Sequence, residues 1–269
     1  MKLNYGFLLY LVFSTTPLLA LEINTGITSE GACAIVGMSA EQSQLIALQR
    51  ARAAAIEQAA GVRVVSSTLV TNANLAVDII KTFSHGYIVK EKVEWLPLGQ
   101  YQKDSKTPPI PEYRLKLTSD VKVLKHLNSS LGLTAKLDRS LYRSGEKASI
   151  DISVMKDIHY AIFNITADDQ VIMLFPNLHD NDNSLNSGTT IRLPKATSSV
   201  ELEMHTLPGH SIDNEAILVA VFDEQVNKRL PLLFTPLKNY SFTDFFANYS
   251  EIAEKTSDLL LAYQVTTGK

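Results

Sequence analysis

Oxygen-bearing side chains crowd a segment that begins as a strongly apolar run. The segment reads VIMLFPNLHDNDNSL, from Val171 to Leu185. Within it, His179, Asp180 and Asp182 are the candidates for binding a metal ion, because imidazole and carboxylate groups are common metal ligands in proteins. These three residues therefore define the first chemical question that the sequence raises.

The spacing in this segment does not match a twelve-residue calcium loop. Counted from Asp180, Leu185 stands where such a loop requires glycine, and Ile191 stands where it requires glutamate. Pro176 removes a backbone donor, and Asp and Asn favour turns by bonding their own backbone. We therefore predict a turn and assign no metal ligands, with an unconventional cation site at His179, Asp180 and Asp182 as the alternative.

The other residues that could do chemistry form no recognisable local pattern. The six histidines do not make a His-x-x-x-His or His-Glu-x-x-His spacing; they are His85, His126, His159, His179, His205 and His210. The single cysteine, Cys33, lies in the apolar stretch GACAIVGM and is predicted to be a small buried core residue.

Local signatures of catalysis are absent from the sequence. It contains no Gly-x-Ser-x-Gly elbow, phosphate-binding glycine loop or dinucleotide fingerprint. A Ser-His-Asp grouping is spatial and stays open at this point. We predict a protein that is not an enzyme, with no catalytic residue, no cofactor-binding residue and no cofactor.

The N-terminal residues are typical of a secretory signal peptide. Lys2 precedes the apolar stretch YGFLLYLVFSTTPLLA, and removal after Ala20 is expected, with an uncleaved anchor as the alternative. No later segment is long and apolar enough to span a bilayer. The formal net charge is −3 and no basic stripe is present, so nucleic acid is not an expected partner.

Helix and strand signals in residues 30–127 predict an α+β domain, for which the resemblance described below implies an assembly role. Ser39 and Gln42 form a capping box, and Gly61 supplies the left-handed end of an alanine-rich helix. The arginines of its QRARAAAIEQ stretch are predicted on a solvated face. In chain order the expected elements are a strand at 31–38, a helix at 39–61, a strand at 62–70, a helix from Asn72 or Asn74 to Gly86, and alternating strands at 87–95 and 113–121.

Short strands separated by turn residues dominate the second half. After a linker near 125–132, the region 131–236 is predicted to be a β-sandwich-like domain, for which the resemblance described below implies an accessory role. Its expected strands are 131–137, 148–154, 158–166, 170–175, 189–193, 199–206 and 215–222. A closing helix is predicted at 243–265. The fold class is therefore α+β, with a helix-on-sheet domain, an all-β sandwich-like domain and a C-terminal helix.

Two stretches resemble known families. The alanine-rich helix running into GVRVVSSTLV, the SHGYI turn and the closing strand YRLKLTSDV resemble the N-terminal domain of the flagellar assembly protein T family and the related small surface lipoproteins. That resemblance implies a non-enzymatic extracytoplasmic protein of outer-membrane-associated rings. Because the lipobox of the lipoprotein relatives is missing, membrane tethering is not implied.

The second resemblance covers LDRSLYRSGEKASIDISV, YAIFNITADDQVIMLFPN and DNDNSLNSGTTIRLP. These pieces are similar to a bacterial extracytoplasmic β domain of unknown function, marked by a Tyr-x-x-Gly-Glu turn and a Leu-Phe-Pro-Asn strand end. That resemblance implies an accessory module and specifies no reaction.

Together these observations predict a non-catalytic, periplasmic component of the bacterial cell envelope, with outer-membrane association or secretion as alternatives. Its expected partners are other envelope proteins or further copies of itself, and a flagellar ring is one such assembly. A periplasmic ligand- or cation-binding module and an envelope hydrolase are the rival hypotheses.

Overall fold

The computed structural model describes residues 23–61, 85–102, 104–124 and 131–268. The predicted signal peptide at 1–20, the strand at 62–70, nearly all of the second helix and most of the linker lie outside the described residues. The described elements confirm a mixed α+β fold rich in strands. No helix among them is long and apolar enough to cross a membrane.

The N-terminal sheet is antiparallel, in the strand order β1-β4-β2 with β3 paired to β4. Its strands are β1 (Ile23–Ala34), β2 (Gly86–Trp95), β3 (Gly99–Tyr101) and β4 (Ile110–Val123). The predicted alternation in β2 is interrupted by a β-bulge between Ile88 and Lys90. A bulge adds an unpaired residue, here Val89, and before it Tyr87 and Ile88 are both buried because this end of the strand is covered on both faces.

Helix α1 (Ala40–Ala60) begins and ends at the predicted signals. The Ser39 hydroxyl accepts a hydrogen bond from the Gln42 amide at 3.1 Å, and the Gln42 side chain accepts one from the Ser39 amide at 3.0 Å. Gly61 ends the helix with a φ of +67°. These contacts satisfy backbone groups that a helix end leaves free, so the capping prediction is confirmed.

A stripe of fully buried alanines lets α1 lie very close to β1. The stripe consists of Ala47, Ala51 and Ala55, and the Ser29 hydroxyl donates a hydrogen bond to the Ala51 carbonyl at 2.7 Å. A Cβ atom at Gly31 would lie 1.9 Å from the Ala47 carbonyl oxygen. The absence of a side chain at position 31 therefore sets the distance between helix and strand.

The second part of the chain contains three further sheets. The strands, in chain order, are β5 (Thr134–Leu137), β6 (Leu141–Arg143), β7 (Glu146–Ala148), β8 (Ile150–Ser153), β9 (Ile158–Ile165), β10 (Gln170–Phe175), β11 (Ser184–Leu185), β12 (Thr190–Leu193), β13 (Leu202–Met204), β14 (Ile212–Phe222), β15 (Asn239–Ser241) and β16 (Thr256–Thr266). One sheet has the order β15-β10-β9-β14-β16-β6, with β11 on β9; the others are β12-β8-β5 and β13-β7. Each of the seven predicted strands overlaps one of these elements.

The prediction of a helix at 243–265 is wrong for most of its length. Two helices flank β15, namely α2 (Glu224–Leu233) and α3 (Phe242–Tyr249), and a 3-10 turn then leads into β16. β16 pairs along its whole length with β14. Its last residues, Gln264–Thr266, also pair in parallel with β6. Its apolar run LLLAY fits a strand as well as it fits a helix.

Two hydrophobic clusters fill the interior. The first joins α1 and the N-terminal sheet to residues of β9, β10, β14, α2 and α3, and the second lies among the strands of the later sheets. Tyr87 stacks on Phe246 with ring centroids 4.9 Å apart, and Lys122 donates a hydrogen bond to the Ser250 carbonyl. The domain boundary between 127 and 131 stays a prediction. The first hydrophobic cluster contains residues from both sides of it.

Candidate functional site

Asn177 organises the turn that carries the candidate metal ligands. Its side-chain oxygen accepts hydrogen bonds from the backbone amides of His179 and Asp180, at 2.8 and 2.9 Å. Its own backbone amide donates to the Asp180 carbonyl at 2.9 Å. This is the local backbone bonding that favours Asn in turns, and it agrees with the predicted turn.

The carboxylates of this loop converge on Lys195, which follows β12. The Lys195 ammonium group donates to Asp180 Oδ1 at 3.1 Å, to the Asp182 carbonyl at 2.7 Å and to Asp182 Oδ2 at 3.4 Å. All three donors of the ammonium group are thereby used. The lysine was missed in the sequence because it lies 15 positions from Asp180 and carries no local motif.

The electrostatics of the loop differ between its two carboxylates. Hydrogen bonds from the Ser184 hydroxyl and amide, followed by the Lys195 charge, lower the pKa of Asp182. Asp180 is buried, with its side chain 7% exposed, and its Oδ2 atom has no hydrogen-bond partner. Burial, followed by the charges of Asp180 and Asp182, raises the pKa of Tyr160, whose hydroxyl donates to the Asp182 carbonyl at 3.2 Å.

The three candidate residues are brought together only in part. Asp180 and Asp182 share Lys195, whereas the His179 side chain is exposed and this residue joins the turn through its backbone amide. Within the described ranges, no group of three or more His, Cys, Asp or Glu side chains is arranged to hold a metal ion. The loop therefore contains an internal ion pair in the place where a cation site was considered.

A serine, a histidine and a glutamate meet at the β6–β7 turn, which sequence inspection could not identify. The Ser144 hydroxyl lies 3.5 Å from His205 Nδ1, and His205 Nε2 lies 3.0 Å from Glu203 Oε1. The histidine and glutamate side chains are 59% and 45% exposed, so water competes for both. The neighbouring Gly145 amide is already bonded to the Met204 carbonyl at 2.8 Å, which removes a candidate oxyanion donor.

A second histidine contacts a buried carboxylate at the start of β14. His210 Nδ1 lies 2.6 Å from Asp213 Oδ1, and Asp213 Oδ2 accepts a hydrogen bond from the Leu207 amide at 2.6 Å. The Asp213 side chain is 1% exposed, so it requires these partners. The pair lies at the end of the LPGHSIDN turn. Among the described residues, no serine hydroxyl is hydrogen-bonded to His210.

A buried charge cluster surrounds Arg52 of α1, and here the predicted solvated face is wrong. Arg52 is 2% exposed. Its guanidinium group makes two hydrogen bonds to Glu91 of β2, at 2.9 and 2.6 Å, and two to Asp169 of the β9–β10 turn, at 2.6 and 2.9 Å. It also lies over the Phe242 ring at 4.5 Å. A signal was present in the sequence, because Arg52 follows Leu48 by four residues and so lies on the same apolar face of the helix.

The two carboxylates of this cluster respond differently to their surroundings. Burial is the largest influence on the pKa of Glu91, but hydrogen bonds from Arg52 and Thr243 outweigh it and lower that pKa. For Asp169, burial prevails over Arg52 and raises the pKa. Desolvation disfavours a charged carboxylate, and Thr243 gives Glu91 an additional donor at 2.7 Å.

We expect mild acid to increase the free energy of unfolding, because three buried carboxyl groups have raised pKa values. Burial is the first cause of the raised pKa values of Asp169, Glu215 and Asp258. Between the ordinary carboxyl pKa and these raised values, the folded state holds protons that the unfolded state has lost, so this stabilisation is lost as the pH rises through the raised values. Asp258→Asn should reduce the slope of the free energy of unfolding against pH by the equivalent of up to one bound proton. Urea unfolding at a series of pH values, from neutral downward, would measure this slope. Parallel curves for the variant and the wild type would contradict the prediction.

The fold and the loop define a mixed α+β protein whose strand-rich part contains the organised Asn177 turn. The family model described as Domain of unknown function (DUF4384) matches residues 141–212. This span includes the loop and Lys195, and it agrees with the predicted resemblance of the second half. No curated protein matches the chain. Nothing in the comparisons supports the flagellar assembly protein T resemblance, which stays a prediction.

Proposed function

We propose that this protein is a non-catalytic component of the bacterial cell envelope that acts by binding other proteins in a larger assembly. The signal-peptide pattern at 1–20 supports export to the periplasm, and the resemblance of the N-terminal half supports an outer-membrane-associated or flagellar assembly. The proposal depends chiefly on the way in which one exposed leucine is presented.

Leu178 carries the proposal, because it is 90% exposed on an ordered turn. Asn177 bonds the two amides that follow Leu178, and its side-chain nitrogen donates to the Leu174 carbonyl at 2.7 Å. Because the backbone that carries Leu178 is already ordered, less conformational freedom is lost when the leucine enters a pocket on a partner. The turn therefore has the properties of a pre-organised contact residue.

Two other exposed leucines lie in the stretch from the last turn of α2 to the start of β15. Leu237 is 57% exposed, and its amide donates to the Met173 carbonyl at 3.0 Å; Leu232 of α2 is 84% exposed. Single exposed apolar residues are ordinary on protein surfaces, but Leu237 is bonded to β10, the strand that leads to Leu178, and so supports a contact surface there.

The arrangement of the polar groups supports a role without catalysis. Asp180 and Asp182 are engaged with Lys195, and the Ser144, His205 and Glu203 grouping lies in solvent without a free oxyanion donor at Gly145. An enzyme active site needs a positioned nucleophile or base beside a site for the reacting atom. Neither grouping provides this combination.

Leu178→Asp is expected to weaken partner binding by at least about tenfold, since a charged group would replace an apolar anchor in a desolvated pocket. The melting temperature should stay within about 2 °C of the wild type, because position 178 is exposed. Site-specific photo-crosslinking at position 178 in cells would identify the partner.

Met155→Asp is the matched control, since Met155 is 74% exposed and lies outside the Asn177 turn. It should leave the crosslinked partner unchanged. Crosslinks from position 178 that contain no envelope protein and no second copy of this chain would overturn the proposal.

A further inference from the structure

The loop that carries Asp180 and Asp182 has the composition of a small cation site, with an ammonium group at its centre. Three oxygen atoms from these two residues surround the Lys195 nitrogen, at 2.7, 3.1 and 3.4 Å. Two are carboxylate oxygens and one is a backbone carbonyl, which are the ligand types that hard cations such as Ca²⁺ prefer. Lys195 thus occupies the position where a bound cation would lie.

A second observation concerns the same carboxylate as the Lys195 bond, that of Asp180. Asp180 Oδ2 is buried without a hydrogen-bond partner, in a side chain that is 7% exposed. A buried carboxylate oxygen usually has a partner, because leaving it unpaired is unfavourable. Asp180 therefore presents more acceptor capacity than the three donors of Lys195 satisfy.

Groups other than Lys195 also hold the loop that carries the ligand oxygens. Ser184 bonds Asp182 Oδ1 through its amide, at 3.1 Å, and through its hydroxyl. Tyr160 holds the Asp182 carbonyl, and Asn177 holds the Asp180 amide. Sites whose ligands are pre-positioned pay less ordering entropy when they bind.

We infer that the loop from Asn177 to Ser184 is a cation-binding loop whose cation is the chain's own Lys195 ammonium group. With Lys195 present, the local charge of the two carboxylates and the lysine is −1, and the loop is ordered without a metal ion. When Lys195 is removed, the charge becomes −2, and a divalent oxygen-preferring cation replaces the ammonium group. This inference is independent of the partner-binding role of Leu178.

The charge balance explains why the natural loop does not need calcium. Ca²⁺ takes about six to eight oxygen ligands. The loop supplies both Asp180 oxygens, the Asp182 carbonyl and Asp182 Oδ2, and water can complete the shell because the Asp182 side chain is 67% exposed. To bind in the natural protein, the metal would have to displace the Lys195 ammonium group. This group is part of the chain and is hydrogen-bonded to the same oxygens.

The test uses the full chain and thermal unfolding, in EDTA and in about 10 mM calcium chloride, with sodium chloride of matched ionic strength as the salt control. Lys195→Met should lower the melting temperature in EDTA by about 3 °C or more, and calcium should restore at least half of the loss. Calcium should shift the wild-type protein by less than about 1 °C.

Further variants separate the cation site from general effects. Lys195→Gln removes the charge but keeps a hydrogen-bond donor, so it provides a folded protein if the methionine variant does not fold. Lys195→Met combined with Asp182→Asn should lose the calcium response. Lys147→Met is the matched control, because Lys147 pairs with Glu201 on the surface at 2.6 Å, where the two side chains are 61% and 58% exposed.

Three results would overturn the inference. The first is a Lys195→Gln protein that calcium does not stabilise more than matched sodium chloride does. The second is an equal calcium response with and without the Asp182 carboxylate. The third is a calcium response of the wild-type protein as large as that of the Lys195 variants.

Discussion

Replacing Arg52 with methionine is expected to lower the free energy of unfolding by about 3–5 kcal/mol. Methionine retains much of the apolar stem, but Glu91 and Asp169 lose the four hydrogen bonds that the guanidinium group gives them. Their side chains are only 15% and 19% exposed, so water replaces those bonds poorly. Urea unfolding at neutral pH would measure the loss.

Arg192→Met is the matched control for this prediction. Arg192 binds both oxygens of Asp151, at 2.7 and 3.0 Å, with the same forked geometry, but its side chain is 67% exposed. Exposed ion pairs contribute about 0–1 kcal/mol because water and salt screen them. Equal losses for the two variants would show that burial is not the cause of the Arg52 effect.

A companion variant separates the ion pairs from the packing around them. Arg52→Met combined with Glu91→Gln and Asp169→Asn removes the charges together and should recover much of the stability, because uncharged amides are less costly to bury than unpaired carboxylates. No recovery in this triple variant would assign the loss to contacts of the arginine stem and Phe242.

The second large effect is expected at Gly31, where alanine should lower the free energy of unfolding by about 2–3 kcal/mol. The new Cβ atom would lie 1.9 Å from the Ala47 carbonyl oxygen and 2.9 Å from the Ala51 amide nitrogen. Both atoms belong to the helix backbone, so α1 would have to move away from β1. Urea or thermal unfolding would measure this loss.

Gly99→Ala is the corresponding control. Its Cβ atom would lie 2.9 Å from the Cδ atom of Arg114, the middle of a flexible side chain that can rotate away. Its effect should stay within about 0.5 kcal/mol. A Gly31→Ala protein as stable as Gly99→Ala would show that the close approach of α1 to β1 is not required for stability.

Local signals predicted the elements well. Ser39, Gln42 and Gly61 located both ends of α1, since capping depends on residues within one turn of the helix. Strands flanked by turn residues were found for the same reason, as at Ile158–Ile165 and Gln170–Phe175. Where the pattern was compatible with both periods, as in Thr256–Thr266, the choice of strand over helix depended on neighbours distant in the sequence.

The candidate site was predicted less completely, because its partners come from distant parts of the chain. Asp180 and Asp182 were considered, with His179, as the alternative to a turn without metal ligands, but Lys195 was not identified. Arg52 was expected to face solvent, since its acceptors Glu91 and Asp169 lie 39 and 117 positions away. Charge partners of this kind become evident only when the packing of the elements is known.

The position of β16 has a consequence for the order in which the chain can fold. β6, at Leu141–Arg143, pairs in parallel with Gln264–Thr266. One edge of β14 is likewise hydrogen-bonded to β16. A polypeptide that is synthesised or translocated from its N-terminus must therefore keep that edge unsatisfied until these late residues emerge. Chaperones that shield exposed strand edges would be most useful to this protein during that interval.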